Sequence, residues 1–191
     1  MIVHVIIGLP GENASRTAET VRYLSGLTAP DGSHIDGIKL QLLHVLRGTA
    51  LADRLPKELI MNRIDQSDAD ISEYSINAAA SSEHKLVKET IETKKVKSCT
   101  AIEAIDHDTP LIRLNDGMQL PCYSLEAYAR LIAELIDILP SDITVHRITG
   151  DAPKSLLIYP LWTADKKKVL NTINKVLREH ADSKSYKQKQ H

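Results

Sequence analysis

The opening stretch Ile2–Gly8 sets the terms for the fold. Its run IVHVII is short and β-branched, which reads as a strand. Leu9-Pro10-Gly11-Glu12 breaks the run. Asn13 or Ser15 is then placed to cap a helix whose Ala14, Ala18, Val21 and Leu24 recur at helical spacing. A strand followed by a helix is the start of the alternating pattern that joins parallel strands by crossovers.

The same unit recurs. Ala29-Pro30-Asp31-Gly32 is a turn, Ile35–Val45 reads as the second strand, and Arg47-Gly48-Thr49 closes it. Ser124 is placed to cap a helix carrying Leu125, Tyr128, Leu131, Leu135 and Ile138 on one stripe, which Pro140 stops. Asp142–Ile148 reads as a strand, Thr149 to Pro153 as a loop, and Leu156–Leu161 as another short apolar run. Thr163 is placed to cap a last helix with Val169, Leu170, Ile173 and Leu177 inward. Alternating strands and helices predict an α/β architecture with parallel strands, and right-handed crossovers put the helices on one face. Residues 1–53 hold the first two units, 54–119 a polar insertion, 120–180 the later units and 181–191 a basic tail expected to fray. The insertion is poor in apolar residues and is expected to be partly disordered. Within it, Ser82–Val96 has a weak amphipathic pattern and Leu111–Leu114 reads as a strand.

Composition removes several function classes. The 191 residues suffice for one domain with a core, and a net charge of −1 gives no electrostatic reason for a nucleic-acid partner. No apolar run is long enough to span a bilayer, so no membrane partner is expected. The chain opens on a strand rather than a leader, and Cys99 and Cys122 lie far apart, so a reduced cytoplasmic protein is expected. HExxH, GxxxxGK[ST] and GxSxG are absent, and no metal site is expected from the residues. Gly8-Leu9-Pro10-Gly11 fits an anion cradle before a helix, and it equally fits a tight strand-to-helix turn.

Side-chain alternation sharpens the picture. Val3, Val5 and Ile7 share one face of the first strand, with His4, Ile6 and Gly8 opposite. Ile38, Leu40 and Leu42 share one face of the second, with Lys39, Gln41 and Leu43 opposite. Ile143, Val145 and Arg147 share one face of the third, with Thr144 and His146 opposite. If helices cover the aliphatic faces, the polar faces point together, into the lumen if the sheet is part of a barrel. Gly8, His44, Arg47 and Arg147 to Asp151 then sit at the carboxyl ends of strands, where α/β barrels react. Solvated side chains on an open sheet remain the plain alternative.

Three segments carry a resemblance: HVIIGLPGE at 4–12, HIDGIKLQLLHVLRGTALA at 34–52 and LPSDITVHRITGDAPKSLLIYPLW at 139–162. Together they resemble the C-terminal half of an uncharacterised bacterial radical-SAM protein family, close to the group that includes the Elongator catalytic subunit. The resemblance covers about two-thirds of the chain and leaves out Arg54–Gln119. It implies the later βα units of a partial (β/α) barrel. It also implies S-adenosylmethionine and a [4Fe-4S] cluster as cofactors of the complete protein, with cleavage of the former to a 5′-deoxyadenosyl radical. Cofactor-binding roles would fall to Ile6, Gly8, Gly11, Lys39, Gln41, Leu43 and His44. Substrate-binding roles would fall to His4, His146, Arg147, Gly150 and Asp151. RNA modification follows only by kinship with the Elongator-like group.

The chain departs from that family in one decisive respect. It has no CxxxCxxC, and a cluster needs three thiolates. The first barrel strands are also missing, which suggests that Met1 is an internal start and leaves an open barrel edge as a route to self-association. No radical chemistry is expected from this chain alone, and no catalytic residue is assigned. Two other readings stay open: a degenerate, non-catalytic binding module, and an unrelated small-molecule α/β enzyme using the Gly8–Gly11 loop as an anion site. Basic residues exceed acidic ones from Asp165 onward, which suits either a solvated helix face or RNA contact.

Overall fold

The computed structural model describes residues 1–57, 59 and 100–188. Strand β1 (Ile2–Ile7) leads through the Leu9–Glu12 turn into helix α1 (Ala14–Ser25). Asn13 caps α1, its side chain accepting from the Arg16 amide at 2.9 Å. Strand β2 (Gly37–Leu42) lies beside β1 in parallel, with Val3 opposite Ile38 and Val5 opposite Leu40. Strand β6 (Thr144–Arg147) flanks β2 on its other side, also parallel, giving the sheet order β1-β2-β6.

Between these strands lie β3 (Val45–Leu46), the short helix α2 (Ala50–Asp53), α3 (Ala101–Asp108), β4 (Leu111–Arg113), β5 (Gln119–Pro121) and α4 (Leu125–Ile138). After β6 come β7 (Leu157–Tyr159), a 3₁₀ turn (Leu161–Ala164) and the long helix α5 (Lys166–Gln188). β3 pairs antiparallel with β7, and β4 with β5.

The α/β reading with a parallel sheet holds. Val5, Ile7, Ile38, Leu40 and Leu42 form one core with Ala18 and Val21 of α1, Leu131 and Leu135 of α4, and Ile173 of α5. The helices therefore cover one face of the sheet. The other face carries His4, Ile6, Thr144 and His146, all exposed, with Lys39 and Gln41 half-buried. A second, smaller core gathers Val45, Leu55, Leu114, Leu120 and Ile158 under the two antiparallel pairs.

Several expectations need correction. Residues 100–119, read as part of a polar insertion with a strand at Leu111–Leu114, do hold that strand as β4, but they add helix α3 and β5 and pack onto the domain. Ile102 and Ile105 enter the main core, and Thr100 and Glu103 form a reciprocal capping box. The remainder of 54–119, including Ser82–Val96, lies largely outside the described residues. Helix α5 starts later than a Thr163 cap would place it. The Thr163 hydroxyl bonds the Pro160 carbonyl at 2.7 Å, and Asp165 accepts from the Lys168 amide at 3.0 Å instead. Leu170 of α5 is 41% exposed rather than inward. The helix also continues to Gln188, so the tail expected from residue 181 is helical through most of its length.

Candidate functional site

Each polar side chain on the open face is placed by the strand it sits on. His4 and Lys39 are register partners, as are Ile6 and Gln41, so the second strand carries a polar row beside the first. The His4 Nε2 lies 3.1 Å from Gln41 Oε1, a hydrogen bond across the two strands. The sheet is irregular at β6. A bulge lets Ile38 pair with Val145 while Lys39 pairs with Arg147, which takes Arg147 out of simple alternation with Ile143 and Val145. Two cations thus oppose each other in register, and the Asp151 carboxylate lies 3.9 Å from Arg147.

Two glycines make the close approaches. A Cβ on Gly37 would lie 2.4 Å from the His146 ring, so His146 folds over the first residue of β2. A Cβ on Gly150 would lie 2.1 Å from His44 Cε1 and 3.1 Å from Gln41 Nε2. The bare backbone of Gly150 is what lets the loop after β6 close against His44 and Gln41. The His44 Nε2 is buried there without a hydrogen-bond partner. Burial pushes the His44 pKa down, and the nearby Asp151 charge opposes that shift only in part.

Asp151 completes the group. Its carboxylate takes an ion pair from Lys166 at 2.7 Å and lies 3.9 Å from Arg147. The Lys166 hydrogen bond and charge hold Asp151 below the usual carboxylate range. A narrow cleft beside it is lined by Leu42, Tyr128, Thr149, Gly150, Trp162 and Lys166. The Tyr128 hydroxyl donates to the Ile148 carbonyl at 3.0 Å and fastens the end of β6 to α4.

The structure therefore brings His4, Lys39, Gln41, His44, His146, Arg147, Gly150 and Asp151 to one face and its carboxyl end. Ile6 is 40% exposed on the same face. Gly8 is not part of that group: it packs against Leu42 and Tyr123 with φ +83. Leu43 packs against the second core. Gly11 turns at φ +80 beneath Met118, and its amide donates to the Gln119 carbonyl at 2.7 Å.

The start of α1 is filled by the chain's own anion. Asp106 of α3 accepts from the Ala14 amide at 2.5 Å, the Ser15 amide at 3.0 Å and the Ser15 hydroxyl at 2.6 Å. The donors that would cradle an external anion at the Gly8–Gly11 turn are spent internally. Asp106 escaped the sequence reading, and Lys166 entered it only as one of the basic residues after Asp165. Asp106 sits three residues after Glu103 in a capping-box helix, and that box was the signal available. The pairing of Lys166 with Asp151 left no signal, because only the fold brings the two together.

The comparisons with known proteins agree in part. Residues 104–179 match the Radical_SAM C-terminal domain model. That match begins inside the stretch whose composition reads as an insertion, and it covers α4, β6 and most of α5. The chain is also 25% identical over 174 residues to the uncharacterized protein YtqA of Bacillus subtilis (strain 168), covering 91% of this chain. The chain spans 34% of the length of that relative. No solved structure matches. Among the described residues, no helix is long and apolar enough to cross a membrane. The resemblance of the chain to a radical-SAM C-terminal half is thereby supported from outside its own residues.

Proposed function

We propose that this chain supplies the carboxyl-terminal wall of a radical-SAM-type barrel. On this reading the β1-β2-β6 sheet is part of the barrel wall and its open face looks into the lumen. Ile6, Lys39, Gln41 and His44 bind S-adenosylmethionine, and His4, His146, Arg147, Gly150 and Asp151 face the substrate. The observation that carries the proposal is the convergence at one sheet end of the His4–Gln41 bond, the His44–Gly150 contact and the Arg147–Asp151–Lys166 chain.

The donor set of this chain does not fit a [4Fe-4S] cluster. The chain has two cysteines where three thiolates are needed. Burial pushes the Cys122 thiol pKa up, against the thiolate a cluster requires. Radical generation is accordingly assigned to residues outside this sequence, and the residues present bind and orient. Lys39 and Arg147 attract an anionic group, Asp151 and Lys166 fix the position of the Arg147 guanidinium, and neutral His44 holds a buried ring nitrogen ready for a partner. The direct test is to reconstitute the isolated chain with iron and sulfide and assay S-adenosylmethionine cleavage. We expect no 5′-deoxyadenosine; its catalytic formation would overturn the assignment. Binding of S-adenosylmethionine by the same chain, lost in Gln41→Ala, is the expected positive result.

The register opposition of Lys39 and Arg147 favours a second reading, a module that binds an anionic partner such as RNA without chemistry. RNA binding should then fall linearly in log–log salt plots, and Lys39→Ala should lower the slope by about 1. A slope unchanged in Lys39→Ala would remove this reading.

A further inference from the structure

A cluster unrelated to that sheet face lies at the seam of α4 and α5. Glu134 and Asp137 stand three residues apart on α4, which puts both carboxylates on one side of the helix. His180 of α5 points between them. The three side chains are 24–27% exposed, so the packed helices hold them rather than leaving them loose in solvent. One ligand atom from each lies within 4.8 Å of the others. His180 is fourteen residues along α5 from Lys166, about 21 Å at the helical rise, so the cluster is remote from the sheet's carboxyl end.

The two sides of the imidazole differ. His180 Nε2 is in hydrogen-bond contact with Asp137. A carboxylate only accepts, so Nε2 carries the proton. Nδ1 lies 3.8 Å from Glu134 Oε1, too far for a hydrogen bond; the contact is an ion pair when the ring is protonated and leaves a lone pair facing Glu134 when it is neutral. A divalent ion bound at about 2.0–2.2 Å to each of these atoms spans that gap with slight closure. A carboxylate on the far ring nitrogen is also the usual partner of a metal-bound histidine, where it fixes the tautomer and raises ligand basicity. The adjoining depression, which His180 also lines, holds Glu126, Arg130 and Glu179, the last 3.8 Å from the Lys175 ammonium.

We propose that His180 Nδ1 and Glu134 bind a divalent transition-metal ion such as zinc, with Asp137 orienting the imidazole and water completing the coordination. The site ties the far end of α5 to α4.

The test uses the full, tag-free chain, stripped with chelator and titrated with zinc chloride at pH 7.5. Calorimetry should give one equivalent and a raised melting temperature. Imidazole nitrogen NMR should show His180 Nδ1 shifting, which separates this site from the other histidines and from the cysteines. Asp137→Asn should weaken binding by about 10–100-fold while leaving one equivalent. Glu134→Gln and His180→Gln should each weaken it by more than tenfold. Glu134→Gln lies at the helix surface and keeps the test valid if His180→Gln unfolds. Unchanged affinity in Glu134→Gln, an unperturbed His180 ring, or a seam that responds to pH but not to zinc would overturn the proposal. The last result would mean that a proton alone fills the gap.

Discussion

At the residue scale, the His44–Gly150 contact is the most exacting feature of the sheet end. Gly150→Ala would drive a methyl group to 2.1 Å from the His44 ring and force the loop or the ring to move. Overpacking of this kind costs about 1–3 kcal/mol, which urea denaturation should show as a lower midpoint with an unchanged slope. His44 also makes stability depend on pH. Burial depresses its folded pKa, so the unfolded chain takes up a proton first as pH falls through about 6.5. Stability from this group is whole above that pH and declines below it, until the folded imidazole also titrates. Melting curves between pH 8 and pH 5 should therefore flatten in His44→Gln relative to the parent chain. Sequence alternation found His44 and Gln41 as polar positions in an apolar run. It could not find their contact with Gly150, which depends on how the loop after β6 returns.

At the element scale, α1 depends on a residue 92 positions beyond its first. Asp106 receives two backbone amides and a hydroxyl at the first turn of α1. Bonds to a charged acceptor are worth about 1.5–3 kcal/mol when one partner is removed. Asp106→Ala should lower the melting temperature by several degrees, whereas Asp108→Ala, exposed on the same helix, should change it little. Most elements around this clamp were legible from periodicity: β1, α1 and α4 fall where their apolar spacing put them. Helix α3 was not, because its eight residues are too few to show a helical period, with Ile102 and Ile105 its only large apolar side chains. Its Thr100-x-x-Glu103 box was the overlooked sign. The β6 bulge was also illegible, since a change of register depends on the neighbouring strand rather than on the strand's own sequence.

At the scale of the whole molecule, the described helices shield one side of the sheet, and among the described residues none covers the other. Among these residues β1 is an edge strand, with Ile2 and Ile6 exposed, 48% and 40%. Exposed apolar edges invite pairing with another chain. Light scattering of the isolated chain should show association that grows with concentration, and Ile6→Lys should suppress it. A concentration-independent monomer would argue that the open side is tolerated by water as it stands. The α/β class and the one-sided helix layer were readable from the sequence because both follow from alternation and crossover handedness. The partial barrel implied by the resemblance is not drawn by the described residues, whose parallel sheet has three strands, because closure depends on strands pairing across a whole sheet.

The chain has a single tryptophan, and its setting has a practical consequence. Trp162 packs on Tyr128 with ring centroids 5.6 Å apart, and its indole N–H donates to the Tyr123 carbonyl at 3.0 Å. It also lines the cleft that holds Gly150 and Lys166. Its emission therefore comes from one known place, unmixed with any other indole. Loss of packing would move that emission toward longer wavelength, and a molecule settling beside Gly150 would alter its intensity or lifetime. The protein carries a built-in optical gauge at the end of the sheet where the proposed ligand would arrive.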